Sequence, residues 1–317
     1  MLALILRRLG FAAFTLGFVS LVVFIAVEAL PGNVCTAFLQ RAAQGPRLER
    51  CIDAQGLDRP AYERYGQWVA GAVQGDFGTS LKRRRPISEV IGERLRNTAL
   101  LGGVAALIGI PLALFLGVWA GVTRDRPPDL ALSGLAVLAM TVPEFVTGAA
   151  LIYIFAITLQ WFPAVTIVPP SAPIADLLPN LVLPVIVLAF VMTAHIMRMT
   201  RASVIDVMAS DYVQMARLKG VPRAQLIWRH VVPNALIPAI NVVALTVAWL
   251  LGGVVIVEKV FNYPGLGTLM IQAIYDRDLP LVQALALIFA GIYVAVNLLA
   301  DLAVLALDPR LRRRGHG

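Results

Sequence analysis

Four ionisable side chains stand inside, or at the rim of, long apolar runs: Glu144, His195, Arg198 and Asp301. An unpaired charge at mid-bilayer costs about 2.5–3.5 kcal/mol on insertion scales, so such residues face a bundle interior or water. Glu144 lies near the middle of its run and is the candidate for lining a pathway. The competing role is a hydrogen bond bracing a kink at Pro143. His195 and Asp301 fit packing or interface positions, and Arg198 fits a chain snorkelling to the membrane surface. None of them completes a catalytic set. There are three histidines (His195, His230, His316), with no metal-ligand cluster and no nucleophile–base motif. No G-x-x-x-x-G-K-[ST] phosphate loop is present. The chemistry open to these residues is binding and positioning, so neither an enzyme nor a metal site is expected.

The elements that must carry them are membrane spans. The chain is 59% hydrophobic and 15% charged, against about 25% charged residues in soluble domains. Apolar runs cover about Leu9–Leu30, Asn97–Val122, Leu130–Leu159, Leu177–Met197, Ala235–Val257 and Pro280–Leu307, each long enough to cross a bilayer. The first run follows Arg7 and Arg8 and reads as an uncleaved anchor rather than a secretory signal. The third is long for one crossing and short for two; Pro143 predicts a kinked, tilted single helix. The fold class is therefore an all-α integral membrane protein with six transmembrane helices.

Basic residues set the orientation. With the N-terminus inside, the inner segments hold Arg7, Arg8, Arg124, Arg126, the six basic residues from Arg198 to Arg229, and Arg310, Arg312, Arg313 and Arg314. Both termini are then cytoplasmic. The eleven basic residues between Pro31 and Arg96 run the other way, but a loop that long translocates largely regardless of charge. The net charge of +8 is thus a topology signal, and nucleic acid is excluded as a partner. The expected organisation is an N-terminal tail and first span (1–30), an extracytoplasmic loop region (31–96), and a five-helix core (97–317).

In the large outer loop Pro60–Val73 has helical spacing, Gly75-Asp76-Phe77-Gly78 is a turn, and Ile87–Arg96 fits a short amphipathic helix leading into the second span. Cys35 and Cys51 lie in this loop. In an oxidising compartment they can form a disulfide; two free thiols are the alternative. The second span contains Gly117-x-x-x-Gly121, a spacing that lets membrane helices approach closely.

The most informative stretch is Arg198–Pro233, polar and helix-patterned between two apolar spans. Val204, Val207, Met208, Tyr212, Met215 and Ala216 make one apolar stripe. Gly220 fits a helix stop, Pro222 a new helix start, and Pro233 a break before the fifth span. Two short helices over 203–232, meeting at a rigid corner, are expected to dock another protein; an amphipathic hairpin lying on anionic lipid is the other reading. The loop between spans five and six carries Glu258, Pro264, Gly265 and Gly267, and Leu266–Ile274 fits a short helix dipping toward a pore, or else a plain exposed loop.

These residues resemble the signature loop of permease subunits in binding-protein-dependent ABC importers. The general pattern there is Glu-Ala-Ala, three residues, Gly, nine residues, then Ile-x-Leu-Pro. This chain has Gln214, Met215, Ala216, Gly220, His230, Val232 and Pro233 at those places, departing at Gln214, Met215 and His230. The version in the dipeptide/oligopeptide branch is closer: Asp211-Tyr212-Val213, Ala216-Arg217, Lys219-Gly220, Arg229-His230 and Asn234–Pro238. Gly75–Ser80, Thr200–Ser203, Val257-Glu258, Pro264–Gly267 and Leu307–Arg310 agree with it too. The resemblance, to the first of two permease subunits, covers nearly the whole chain except about Asn33–Leu57, so no disulfide is inherited from it.

The resemblance implies a type I ABC importer permease fold in a bacterial cytoplasmic (inner) membrane. It implies two ATPase subunits docked around Asp211, Tyr212, Ala216, Arg217, Lys219, Gly220 and Pro222, a second related permease, and an external solute-binding protein. ATP and Mg would sit in the ATPases, with no cofactor in this chain. Glu258, Pro264, Gly265 and Gly267 would form an outer gate. The charge of Glu144 would then meet either the positive end of a peptide or a polar group on the partner permease. A stand-alone secondary transporter or channel is the alternative; it leaves the polar corner without a role.

Overall fold

The computed structural model describes residues 2–307, all helices and connecting loops. Arg310–Arg314, His316 and most of the Leu307–Arg310 landmark lie outside the described residues. The order is α1 (Leu2–Glu28), α2 (Val34–Leu39), α3 (Pro46–Gln55), α4 (Ala61–Val73), α5 (Ile87–Val122), α6 (Pro127–Thr141), α7 (Glu144–Leu151, continued as a π-helix to Thr158), α8 (Ile174–Met208), α9 (Asp211–Leu218), α10 (Arg223–Gln225, continued as a π-helix to Val231), α11 (Val232–Val260), α12 (Leu266–Tyr275) and α13 (Leu279–Leu307). Among the described residues five helices are long and apolar enough to span a membrane, and a sixth crossing is made if the bent pair α6 and α7 counts as one span.

The third span is not a kinked single helix. Its halves meet at 105° across Val142-Pro143. Proline removes an N–H and clashes with the carbonyl four residues back, and here the backbone at Val142 has swung to an extended conformation, so the helix ends and restarts. The α6 half packs on α8, and the α7 half packs on α8 and α11.

The centre of the bundle is the α5–α8 pair. Gly109, Gly117 and Gly121 lie on one stripe of α5 and are buried. A Cβ on Gly117 would lie 2.6 Å from Thr200 Cβ and 2.8 Å from the Met197 carbonyl oxygen; one on Gly121 would lie 2.6 Å from Val204 Cβ. Lipid offers no hydrophobic drive for helix pairing, so such close backbone approach is what holds the two spans. An ion pair ties α6 to α8: Asp129, fully buried at the start of α6, takes two hydrogen bonds from Arg201 of α8, at 2.5 and 2.7 Å.

Two further boundaries move. Ile87–Arg96 is no separate amphipathic helix but the first turns of α5, so the loop region ends at Pro86 rather than Arg96. Nor does Pro233 break the chain: Arg223–Val231 runs straight into α11. A π-register precedes Pro233, with the Val232 N–H bonded to the Ile227 carbonyl; beside it the His230 carbonyl accepts from Asn234 Nδ2 (2.8 Å) and Tyr212 OH (3.2 Å).

Cys35 and Cys51 are joined, with Cα atoms 5.8 Å apart, tying α2 to α3. The α4 helix packs on α1 through Tyr65, Trp68 and Phe24, and Arg64 pairs with Glu28. Gly75 and Gly78 take φ of 81° and 80° in the expected turn. Asp301 of α13 is paired with Arg8 of α1, which is the packing role its position suggested, while Arg198 is exposed.

Candidate functional site

Three places bring the singled-out residues together: a corner at the α9 end of the bundle, a cleft at its middle, and a bolted turn at the end that carries the disulfide.

At the corner, the expected pair of short helices resolves into one. The stripe from Val204 to Ala216 is divided, because α8 runs to Met208 and only α9 stands free. Ser210, in extended conformation before Asp211, starts α9. Gly220 ends it with φ of 79°, a left-handed conformation that glycine adopts without Cβ cost. Val221 N–H reaches the Ala216 carbonyl (3.2 Å) and Gly220 N–H the Arg217 carbonyl (3.0 Å), the paired bonds of a Schellman stop. Pro222 then begins α10.

The inner face of α9 is anchored by Val213, which is buried with Val204, Leu226, Val231 and Ala235; Ala216 and Val221 pack against them. Tyr212, Met215 and Leu218 face outward at three-residue spacing, with Leu218 82% exposed. Asp211, Arg217 and Lys219 are exposed beside them. The result is an apolar strip with charged flanks, displayed on a short helix whose stop is fixed by backbone bonds. Val213 and Leu218 were missed in the sequence. Their signal was present: Val213–Ala216 and Tyr212–Met215–Leu218 are two separate helical faces.

Mid-membrane, Glu144 opens α7 at the break. It lines a cleft with His195, Thr246 and Trp249, and its Oε1 lies over Gly253, where a Cβ would stand 2.8 Å away. His195 leans on Trp249 with ring centroids 5.4 Å apart and turns Nδ1 to the Val191 carbonyl. No hydrogen bond to the Glu144 carboxylate exists among the described residues.

At the opposite end, Glu258 belongs to the last turns of α11, not to the loop as expected, and is fully buried. It accepts from Thr98 Oγ1 (2.6 Å), Gly267 N–H (2.7 Å) and Thr268 N–H (3.1 Å). The carboxylate thereby fills the N-terminal donors of α12. A Cβ on Gly267 would meet Val255 Cα at 2.5 Å, and one on Gly265 would collide with the Glu258 carboxylate. Those glycines exist because the turn lies against its own acceptor. Asn97 donates to the Pro264 carbonyl (2.9 Å) and the Pro170 carbonyl (3.0 Å), while Tyr263 OH donates to the Asn97 carbonyl (3.1 Å). Burial, and then the nearby Glu258, pushes the Tyr263 phenol well above its ordinary range, keeping it a donor. The far end of α12 is bolted likewise: buried Asp278 accepts from Ser80 Oγ (2.5 Å) and the Leu81 (3.2 Å) and Lys82 (3.3 Å) N–H groups. Asn97, Thr98, Asp129 and Ser80 were not legible as partners, because each meets a residue 72 to 198 positions away.

A family model described as "Binding-protein-dependent transport system inner membrane component" matches residues 109–313. The chain belongs to that family. It is a multi-pass permease subunit of an ABC importer in the inner membrane, a transport component and not an enzyme. The permease is 35% identical over 312 residues to the "Glutathione transport system permease protein GsiC" of Escherichia coli (strain K12), covering 98% of this chain and 99% of that one. It is 36% identical, with the same coverage, to a protein of Brucella abortus (strain 2308) named as a peptide transport system permease. In fold it resembles a solved structure titled "Crystal structure of an amino acid ABC transporter with histidines", with a TM-score of 0.53 and 20% identity, over 71% of this permease and 94% of that chain. The match shows the type I permease fold. The chain before residue 109, which holds the disulfide and α2–α4, lies outside the family model.

Proposed function

We propose that this permease forms half of a translocation pathway for peptides, with both termini in the cytoplasm. A second, related permease completes the pathway, two ATPase subunits dock on the α9 corner, and a solute-binding protein delivers cargo at the disulfide end. ATP and Mg are bound by the ATPases; this chain contributes no cofactor ligand. The carrying observation is the outward strip of Tyr212, Met215 and Leu218 on a helix tied to the spans through Val213. An apolar strip at a membrane-proximal corner seeks a partner, and Asp211, Arg217 and Lys219 flank it for specificity. Movement of a docked partner is passed to α8 and α11, because Gly220 and Pro222 leave the corner no slack. The peptide-transport names of the relatives support peptides as the substrate class.

Glu144 lines the pathway in this reading. An unpaired carboxylate beside Trp249 suits an ammonium group, by charge and by cation–π attraction. At the other end, Pro264, Gly265 and Gly267, held by Glu258, serve as a wall of the outer gate.

Vesicles containing the full assembly test the whole proposal. Uptake of short peptides is expected only with internal ATP and the binding protein; uptake by this chain alone would return the stand-alone transporter. Within the assembly, Glu144→Gln is expected to lower uptake of peptides with a free amino terminus by about tenfold, the scale of a lost charge-assisted contact, while N-acetylated peptides are unaffected. Equal uptake of both by the variant and the parent would remove Glu144 from the pathway.

A further inference from the structure

A cavity of about 230 Å³ opens at the disulfide end between the 159–173 loop, the Asn262–Gly265 turn, α12 and the first turns of α5. Its polar lining includes Arg94, Thr268, Gln272 and Asn262, and the amide NH₂ of Asn262 is already given to the Thr166 carbonyl (3.1 Å). Arg94 makes one long contact, Nη1 to the Gly265 carbonyl at 3.5 Å, and has no ion-pair partner among the described residues. The carboxylates around it are spoken for. Glu258 already accepts from Thr98, Gly267 and Thr268. Glu93 takes Arg85 at 3.0 Å. Asp276 lies toward Lys82 and Arg83, at 4.0 and 3.9 Å.

Two more donors point the same way. Thr268 is 2% exposed and its hydroxyl has no partner, although its backbone N–H is satisfied. Gln272 gives its amide oxygen to Arg83 Nη2 at 3.0 Å, so its NH₂ group is the part left over. A guanidinium offers five N–H donors in a fork that matches a carboxylate in two places. Leaving such a group half-buried with neither anion nor full solvation is costly. The site therefore has the charge, the fork geometry and the spare hydroxyl for an anion, and room for about one residue of a peptide beyond it.

We propose that the Arg94–Thr268–Gln272 cavity binds the C-terminal carboxylate of the peptide cargo as it enters the permease. The proposal rests on the peptide-importer reading, which puts this cavity on the delivery side. It assigns the two ends of a peptide to different places: the carboxylate to Arg94 at the entrance, the ammonium to Glu144 within.

The test is equilibrium binding of tri-alanine and of tri-alanine amide to the assembled transporter in nanodiscs, without ATP. The parent is expected to bind the free acid about tenfold more tightly than the amide, the scale of one charge-assisted hydrogen bond. Arg94→Gln should erase that ratio by weakening the acid alone, and Arg94→Lys should retain part of it. Thr268→Val, which keeps the shape and removes the hydroxyl, should cut acid binding by about threefold. Equal affinity of the parent for acid and amide overturns the proposal. So does an Arg94→Gln protein that loses both ligands together, as it would if Arg94 only met an acidic patch of the binding protein or held the fold. Binding here needs no transport. A complex that selects the acid but carries no peptide refutes the importer reading alone, and one that carries peptide without selecting the acid refutes only this inference.

Discussion

The two short helices that interrupt the bundle, α9 and α12, are of similar length and opposite construction. The α9 helix buries one side chain, Val213, and turns most of its surface outward. The α12 helix buries Leu266, Gly267, Thr268, Leu269 and Ala273 and is pinned at both ends by fully buried carboxylates, Glu258 and Asp278. Charge is used differently in each. At the corner Asp211, Arg217 and Lys219 stay in water, where they cost little and steer a partner. At the bolted turn the charges are dry, and each is worth having only because three donors meet it. The lesson is that one end displays its side chains and the other locks them in place.

The comparison breaks most visibly if the bolts are not essential. Glu258→Ala strips an acceptor from one hydroxyl and two backbone N–H groups at a buried site. At about 1–3 kcal/mol for each unsatisfied buried donor, a loss of several kcal/mol is expected, read as a large drop in the melting temperature of the detergent-solubilised permease. Melting within a degree or two of the parent would mean that α12 does not depend on this carboxylate. A smaller and different effect is expected at the corner. Gly220→Val forces a β-branched residue to φ of 79°, costing about 1–3 kcal/mol locally, while the spans remain inserted. ATP hydrolysis by the assembly should continue as uptake per ATP falls; unchanged coupling would show that the corner is no lever. The smallest change in stability belongs to Leu218→Ser. This side chain is 82% exposed, so melting should shift by less than about 0.5 kcal/mol in free-energy terms. Co-purification of the ATPases with the permease should nevertheless weaken, and retention equal to the parent would move the docking surface elsewhere.

Much of the fold was legible because lipid imposes it. Apolar runs of bilayer length mark the spans, and Gly117-x-x-x-Gly121 marks the α5 face that meets α8. The sharp break at Pro143 was read too mildly. Proline forbids a helical bond, but whether the helix bends or stops depends on the backbone around it, and here Val142 turns extended. Pro233 was read too strongly: the chain passes through it as helix, after a π-turn. The corner was legible in its signposts, Gly220 and Pro222, yet not in its faces, since which side of α9 is inward depends on where Val204 and Leu226 stand.

By itself the amino-acid order determined the membrane environment, where the apolar spans lie, the absence of a phosphate-binding loop, and the family to which the loop motifs belong. These follow from local chemistry: hydropathy over a span's length, and residue types at short fixed spacing. Only the tertiary structure decided that Glu258 and Asp278 are bolts rather than exposed loop charges, that Asp129 has Arg201, and that Glu144 and Arg94 make no ion pair among the described residues. A buried charge takes its meaning from the donors and acceptors within about 3 Å of it, and in this chain those come from residues many tens of positions away.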